Sequence, residues 1–441
     1  MVSTALAASL SRRRIHYSWV ILAVTFLTML VMAGAVGAPG VFIRPLQAEF
    51  GWDTAEISSA LAVRFALFGL VGPFAAAFMN HFGVRKVVLT ALTLVASGML
   101  LSLLMTRFWQ LVVLWGVVVG FGTGLTAMVL GATVATRWFS SHRGLAMGLL
   151  SASSATGQLV FMPLLANLTE HFGWRTALTC ICAAIVIAGF AVLALMRNRP
   201  ADLQLPLYGD DDIQPVPEST QTFAQLLLTP LKVLREVSGT WTFWVLFMTF
   251  FICGASTNGL IQTHFISLCG DYGLAATTAA GMLAVMGIFD FFGTIGSGWL
   301  SDRFDNRWLL FWYYGFRGVS LVLLPFLDFT VFGLSVFALL YGLDWIATVP
   351  PTVKLTAQRF GAERANIVFG WVFAGHQLGA AFAAFGAGWT RTHFATYLPA
   401  FFISGLLCVI AALIALSIVP AERLLPGGSV FRLRRVTFKK H

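Results

Sequence analysis

Charge is the scarcest property of this chain. Only 10 % of its 441 residues are Asp, Glu, Lys or Arg, where a soluble domain carries about 25 %. A water-soluble globule of this length cannot cover its surface with so few charges. That excludes a soluble enzyme, a DNA-binding protein and a disordered chain. Cysteine is also sparse. Cys180, Cys182, Cys253, Cys269 and Cys408 all fall inside apolar runs, which argues against a disulfide scaffold. Lysine is confined to Lys86, Lys232, Lys354, Lys439 and Lys440, and none sits in a Gly-x4-Gly-Lys-Ser/Thr loop, so a nucleotide motif is missing. There is no HExxH and no CxxC, and the Cys180-x-Cys182 spacing splits two thiols across a helix. No cofactor, no metal, no nucleic-acid partner and no catalytic constellation are expected, so the chain reads as a non-enzyme.

What is abundant is apolar surface: 58 % hydrophobic residues, 40 of them phenylalanine, and a mean hydropathy of +0.83. A bilayer core of about 30 Å needs roughly 20 apolar residues per helix. Spans of that length are predicted at 17–39, 54–79, 84–105, 109–135, 144–167 and 175–196, and again at 240–267, 275–300, 308–327, 330–356, 365–389 and 395–419. The first is too long for a signal-peptide core, and Pro39 and Arg44 stand where a small-residue cleavage site would lie. Short loops make consecutive helices antiparallel neighbours. The one long connection, 197–239, holds Pro200, Pro206, Pro215, Pro217 and the acidic run Asp210-Asp211-Asp212. It reads as a surface linker ending in an amphipathic stretch, Phe223 to Val237. The predicted partition is a six-helix bundle over 1–196, a linker over 197–239, and a second bundle with a basic tail over 240–441.

The net charge of +10 is a topology signal in such a chain. Arg12, Arg13, Arg14, Arg85, Lys86, Arg137, Arg143, Arg197, Arg199, Lys232, Arg235, Arg303, Arg307, Arg359 and Arg364 gather on one side, with Arg423, Arg432, Arg434, Arg435, Lys439 and Lys440 of the tail. The other side has Arg44, Arg107, Arg175 and Arg391. The positive-inside tendency then places both termini and the linker in the cytoplasm, with the chain integral to the inner membrane.

The two halves repeat each other. Asn80-His81-Phe82 with Arg85 answers Asp302-Arg303-Phe304 with Arg307 at an offset of 302 − 80 = 222. Trp19 answers Trp241, and Glu49-Phe50-Gly51 answers Asp271-Tyr272-Gly273, at the same offset. Arg137-Trp138-Phe139 with Arg143 answers Gln358-Arg359-Phe360 with Arg364 at 221. An offset of six helices, an even number, gives parallel halves, which flank a mid-membrane site and alternate access by rocking.

With these residues in hand the chain resembles the major facilitator superfamily over essentially its whole length. The family's loop signature, Gly-x-x-x-Asp-Arg-x-Gly-Arg-Arg/Lys, is matched in its second copy by Gly298 to Arg307. The first copy is degenerate: Asn80 and His81 replace the acid and base, while Gly83, Arg85 and Lys86 are kept. The resemblance implies an all-α membrane protein of twelve helices and a gating role for Asp302 and Arg303; Arg307, Arg85, Arg143 and Arg364 are further gating candidates. The alternative is that these charges are solvated turn residues with a topology role. Arg137 to Gly148, and Gly37-x-x-Gly40-Val41-Phe42, resemble monocarboxylate and oxalate–formate type porters. One departure stands out. Those porters carry an Arg four residues after an Asp or Asn in the eighth helix, and here Asp290 is followed by Thr294.

Ionisable groups within the membrane cost several kcal/mol unless partnered or wet, so each marks a candidate site. Arg64 lies near mid-membrane and has two readings: a bidentate clamp for a substrate carboxylate, or an ion pair across the halves with Asp290 or Asp344. Arg317 and Asp344 fall at similar depth on consecutive helices and are expected to pair, with Asp290 able to share Arg317. An acid released from such a pair can take a proton. His376 and Gln377, within Ala374 to Gly379, are expected to line a cavity, with a packing role as the alternative for His376, and with Asn258, Phe121 and Phe289 as further contacts. His264 reads as a gate or surface residue. Gly34, Gly37, Pro39 and Gly40 in the first helix, Gly120, Gly122 and Gly124 in the fourth, Gly157 and Pro163 in the fifth, and Pro350-Pro351 in the tenth signal broken or closely packed helices.

The function expected is secondary transport of a small organic anion, monocarboxylate-like, with protons, by a monomer in the bilayer. The alternative within transport is a carrier or exporter of a neutral, zwitterionic or cationic solute. A non-transporting sensor or membrane enzyme is disfavoured by the repeat symmetry and the missing catalytic cluster.

Overall fold

The computed structural model describes residues 2–126, 128–213 and 222–418. Pro215 and Pro217 and the basic residues from Arg423 to Lys440 lie outside the described residues. Among the described residues, twelve helices are long and apolar enough to cross a bilayer: Ser18–Phe50, Thr54–Phe82, Val84–Ser102, Phe108–Trp138, Leu145–Phe172, Trp174–Leu195, Trp241–Asp271, Ala276–Ser301, Asn306–Phe326, Val331–Phe360, Arg364–Phe394 and Leu398–Ala415. We number these spans in chain order. Each overlaps one of the twelve predicted spans, though the ends differ. The end at which Ser18 enters the first span carries the connection between the sixth and seventh; we call it the linker end, and its opposite the far end.

The largest difference is at the first span, which continues to Phe50 rather than ending near Pro39. Proline removes an amide from the helix ladder and strains the preceding turn, yet Pro39 and Pro45 both lie inside this helix. The helix is held past them from outside. Arg44 binds Asp271 at 2.8 Å, and Glu49 binds Arg175 at 2.5 Å. Gly51, at φ +70°, then ends it in the left-handed region where glycine has no Cβ penalty. The second span starts on a capping box: the Glu56 amide donates to Asp53 Oδ1 at 2.7 Å, and the Asp53 amide to Glu56 Oε2 at 3.0 Å.

The breaks fall in two of the spans that glycine and proline marked, the fourth and the tenth, and in the seventh. The fourth span is π-helical over Val112–Val119, the seventh over Ala255–Gln262. The tenth splits into Val331–Asp344 and Val349–Phe360, with a turn between. The first and fifth spans, by contrast, run unbroken through their prolines. Their glycines serve close packing. A Cβ on Gly157 of the fifth would meet the Leu30 carbonyl of the first at 2.4 Å.

Within lipid there is no hydrophobic drive between helices, so small residues set their approach. The tightest crossing is between the seventh and eleventh spans, where a Cβ on Gly254 would sit 1.7 Å from the His376 carbonyl. The second span packs along the eleventh, joining the first six helices to the last six. Phe65, Ala380, Ala381 and Ala384 form one buried cluster there, and a Cβ on Gly69 would meet Gln377 Cβ at 2.6 Å.

The linker is structured where described. Its Tyr208 accepts from the Ser140 and Ser141 amides at 3.0 Å and donates its own amide to the Trp138 carbonyl at 3.0 Å. The expected amphipathic helix is present as Phe223–Val237, capped by Thr222. It spans both halves: Phe223 packs on Phe78, His81 and Phe82 of the second span. Pro230 accepts from Trp371 Nε1 of the eleventh at 2.9 Å.

Candidate functional site

The break in the tenth span frees backbone groups inside the membrane, where each needs a partner. Charged side chains of the neighbouring spans supply them. Arg317 of the ninth donates Nε to Asp344 Oδ2 at 2.7 Å and Nη2 to the Trp345 carbonyl at 3.0 Å. Its Nη1 reaches Cys253 Sγ of the seventh at 2.9 Å. Asp290 of the eighth accepts the Ile346 amide at 2.8 Å and the Thr294 hydroxyl at 3.1 Å. Ser297 donates to the Ala347 carbonyl at 2.5 Å, and Thr348 lies 3.3 Å from the Cys253 thiol. Arg317, Asp344, Cys253, Asp290, Ser297 and Thr348 are all buried, and Thr294 is half-buried.

The expected Arg317–Asp344 pair is thus present. Asp290 is not a third member: its Oδ1 holds the backbone of the break by accepting the Ile346 amide. No cation lies within salt-bridge distance of Asp290 among the described residues.

Arg64 stands apart. It lies on the second span, about 15 Å from the far end at 1.5 Å per residue. It is 2 % exposed, and its Nη1 has no hydrogen-bond partner. Its guanidinium carbon sits 4.7 Å from the Phe65 ring centroid. The ion pair with Asp290 or Asp344 is absent among the described residues: Asp344 is paired with Arg317, and Asp290 with no cation. Gly120 of the fourth span packs on the Arg64 backbone, where a Cβ would be 3.0 Å away.

Other unpartnered polar atoms lie along the contact between the halves. Gln377 Oε1 of the eleventh span and Gln262 Oε1 of the seventh are buried without partners. A Cβ on Gly37 of the first span would come within 3.8 Å of Gln262 Nε2. Gln262 was not singled out in the sequence. Its signal is a lone amide in an apolar helix beside the candidate Asn258. Asn258 itself is half-buried in the π-helical stretch, its carbonyl accepting from Thr263 Oγ1 at 2.7 Å.

His376 and Gln377 do not line one cavity as a pair. A helix turns about 100° per residue, so Gln377 faces Gly69 of the second span while His376 turns to the seventh. Its ring stacks on Phe373 of its own span at 5.7 Å and lies 4.9 Å from Phe250 of the seventh. Phe121 is 39 % exposed; Phe289 is half-buried against Gly342 of the tenth span. His264 is not at the surface. It is fully buried, with Nε2 2.8 Å from the Ala384 carbonyl.

The loop charges bind groups on other helices at the linker end as well as on their own. Asp302 binds Lys354 of the tenth span at 2.8 Å. This lysine holds its carboxyl below the usual value. Arg303 lies over the Trp299 ring at 3.9 Å. Arg307 binds Asp305 at 2.5 Å and the Ile418 carbonyl at 3.0 Å. Arg85 donates to the Leu193 carbonyl of the sixth span, and Asn80, in place of the acid, accepts from Arg137. Arg364 binds Glu236 of the linker helix at 2.9 Å. The Arg143 side chain lies outside the described residues.

The far end is tied across the halves. Arg44 of the first span and Arg391 of the eleventh both bind Asp271 of the seventh, each at 2.8 Å. The Thr277 amide of the eighth donates to Glu170 of the fifth at 2.9 Å. Sequence reading counted Arg44 and Arg391 only as scattered far-end charges.

Twelve spans, repeated halves and a buried polar interface between them define a membrane carrier. The chain belongs to the major facilitator superfamily, whose family model matches residues 21–384. It is 25 % identical over 385 residues to "Uncharacterized MFS-type transporter YcxA" of Bacillus subtilis, covering 84 % of this chain and 87 % of that one. It is 26 % identical over 392 residues to "Monocarboxylate transporter 13" of Bos taurus, covering 88 % and 86 %. Over a shorter stretch of 183 residues it is 33 % identical to "Monocarboxylate transporter 9" of Rattus norvegicus, 41 % of this chain and 35 % of that one. The crystal structure of a D-xylose-proton symporter superposes with a TM-score of 0.70 at 16 % identity, over 92 % and 98 % of the two chains. That likeness concerns the fold. The chain is therefore a transporter and not an enzyme.

Proposed function

We propose that this transporter moves a small monocarboxylate-like anion, together with protons, and that Arg64 binds the carboxylate. One observation carries the reading: a buried guanidinium at mid-membrane with an unpartnered Nη1 and no acid within reach among the described residues. An isolated cation in a low-dielectric medium is costly. A carboxylate ligand would offset that cost through two parallel charge-assisted hydrogen bonds. Gln377 and Gln262, whose amide oxygens are unpartnered, are the further polar contacts on the same interface. The monocarboxylate transporters among the relatives point to the same substrate class.

Protons are carried at Asp290. Asp344 cannot change protonation without breaking its bond to Arg317, whereas Asp290 has no ion pair to break. The bundles over 1–196 and 240–441 rock about the Arg64 level, with the linker end in the cytoplasm and the chain in the inner membrane. Uptake of labelled carboxylates into proteoliposomes under an imposed pH gradient tests this reading. Saturable uptake that rises with inward proton drive supports it, and uptake of sugars or amines but not carboxylates overturns it.

A further inference from the structure

The far-end contact is unequal in charge. The repeat pairs Glu49 with Asp271, 222 positions apart, and each acid holds an arginine of its own half: Arg175 for Glu49, Arg391 for Asp271. Asp271 alone carries a second one, Arg44 from the other half. Arg391 reaches it through Nε at 2.8 Å and Nη2 at 3.1 Å. Arg44 donates Nη2 to Oδ1 at 2.8 Å and to the Ser267 carbonyl at 3.1 Å. Two guanidiniums therefore share one carboxylate.

They do so at the wall of a cavity of about 590 Å³, lined also by Gln47, Thr54 and Tyr397. Arg44 is 46 % and Arg391 32 % exposed, so a solute in the cavity can reach both. The Arg44 guanidinium lies against Gly270, where a Cβ would come within 2.4 Å of its carbon. The missing side chain is what lets Arg44 settle beside Asp271. Arg44 belongs to the first span and Asp271 to the seventh, so separation of the halves at this end pulls them apart.

From this geometry we infer that Arg44 and Arg391 form a second, outer carboxylate-binding subsite, which Asp271 occupies when the far end is closed. The substrate carboxylate takes the place of Asp271 as that end opens, so the same contact serves as latch and as entry site. The planar fork of each guanidinium suits a carboxylate better than a spherical anion. The inference rests on the anion reading of the previous section, but its residues lie on different parts of the spans from Arg64.

The test is a thermal-shift titration of the purified full-length protein with potassium acetate, against potassium chloride at equal ionic strength. Asp271→Asn removes the internal carboxylate and leaves both guanidiniums free. Half-maximal stabilisation by acetate is expected at about tenfold lower concentration than in the wild type, a change of one strong interaction. The gain persists in an Arg64→Gln background and disappears when Arg44→Gln is added. No gain in Asp271→Asn, or an equal response to chloride, overturns the subsite. Loss of all acetate response with Arg64→Gln also overturns it while leaving the Arg64 reading intact. Should Asp271→Asn not fold, Arg44→Gln in the Arg64→Gln background leaves the Asp271–Arg391 pair in place. It is expected to weaken acetate binding, and an unchanged titration there overturns the proposal.

Discussion

Asp290 on the eighth span holds the amide of Ile346 on the tenth at 2.8 Å, in the middle of a helix break. From the other side Arg317 holds the Asp344 carboxylate and the Trp345 carbonyl. An acid and a base from adjacent helices thus satisfy opposite poles of one interrupted backbone. The acid does so without an ion pair among the described residues.

Asp290→Asn is expected to preserve the fold, because the amide oxygen still accepts from Ile346 and Thr294. It should abolish pH-driven accumulation in proteoliposomes while leaving substrate exchange. Accumulation that persists in this variant places the proton carrier elsewhere.

Arg317→Ala strands Asp344 and the carbonyls of the break in a buried site. Removing one partner of a buried pair costs about 3–5 kcal/mol, so thermal unfolding in detergent should show a large loss of stability. Arg317→Lys keeps the charge but cannot serve carboxylate, carbonyl and thiol together, and it should fall in between. A wild-type melting curve for Arg317→Ala contradicts the clamp.

Gly254→Ala drives a methyl group to 1.7 Å from the His376 carbonyl. The seventh and eleventh spans must separate, at a cost of order 3 kcal/mol. Gly281→Ala in the eighth span meets nothing within 4 Å and is expected to leave stability unchanged. Equal stability of the two variants would show that this crossing is not tight.

The Asp302–Lys354 contact at the linker end has a defined pH sign. Lys354 lowers the Asp302 pKa, so its stabilising effect is present above the ordinary carboxylate value, about 4. It is lost as pH falls through the lower folded value. Asp302→Asn should therefore differ from wild type in transport rate at pH 7 and converge with it in strong acid. A difference that is constant with pH excludes this contact as its cause.

The spans were legible because bilayer thickness demands a length of apolar chain that little else in a sequence imitates. The Arg317–Asp344 pair was legible from depth alone, since two opposite charges on neighbouring helices have nowhere else to go. The role of Asp290 was not: its partner is a backbone amide, and no residue type marks an amide freed by a helix break. The first span was read as ending at Pro39, because the contacts of Arg44 and Glu49 that carry it onward come from Asp271 and Arg175, over a hundred residues away. His264 was read as peripheral by its distance from the helix centre. Its burial depends on Ala384 of the eleventh span and on Tyr397, which precedes the twelfth.

The central claim is that Arg64 binds the substrate carboxylate. Its most direct test is the half-saturation concentration for labelled monocarboxylate uptake in proteoliposomes, wild type against Arg64→Lys. The lysine keeps the charge and loses the planar fork. Loss of one of two charge-assisted hydrogen bonds, about 1.5–3 kcal/mol, predicts affinity at least about tenfold weaker. Unchanged affinity in Arg64→Lys, with intact folding, would contradict the account.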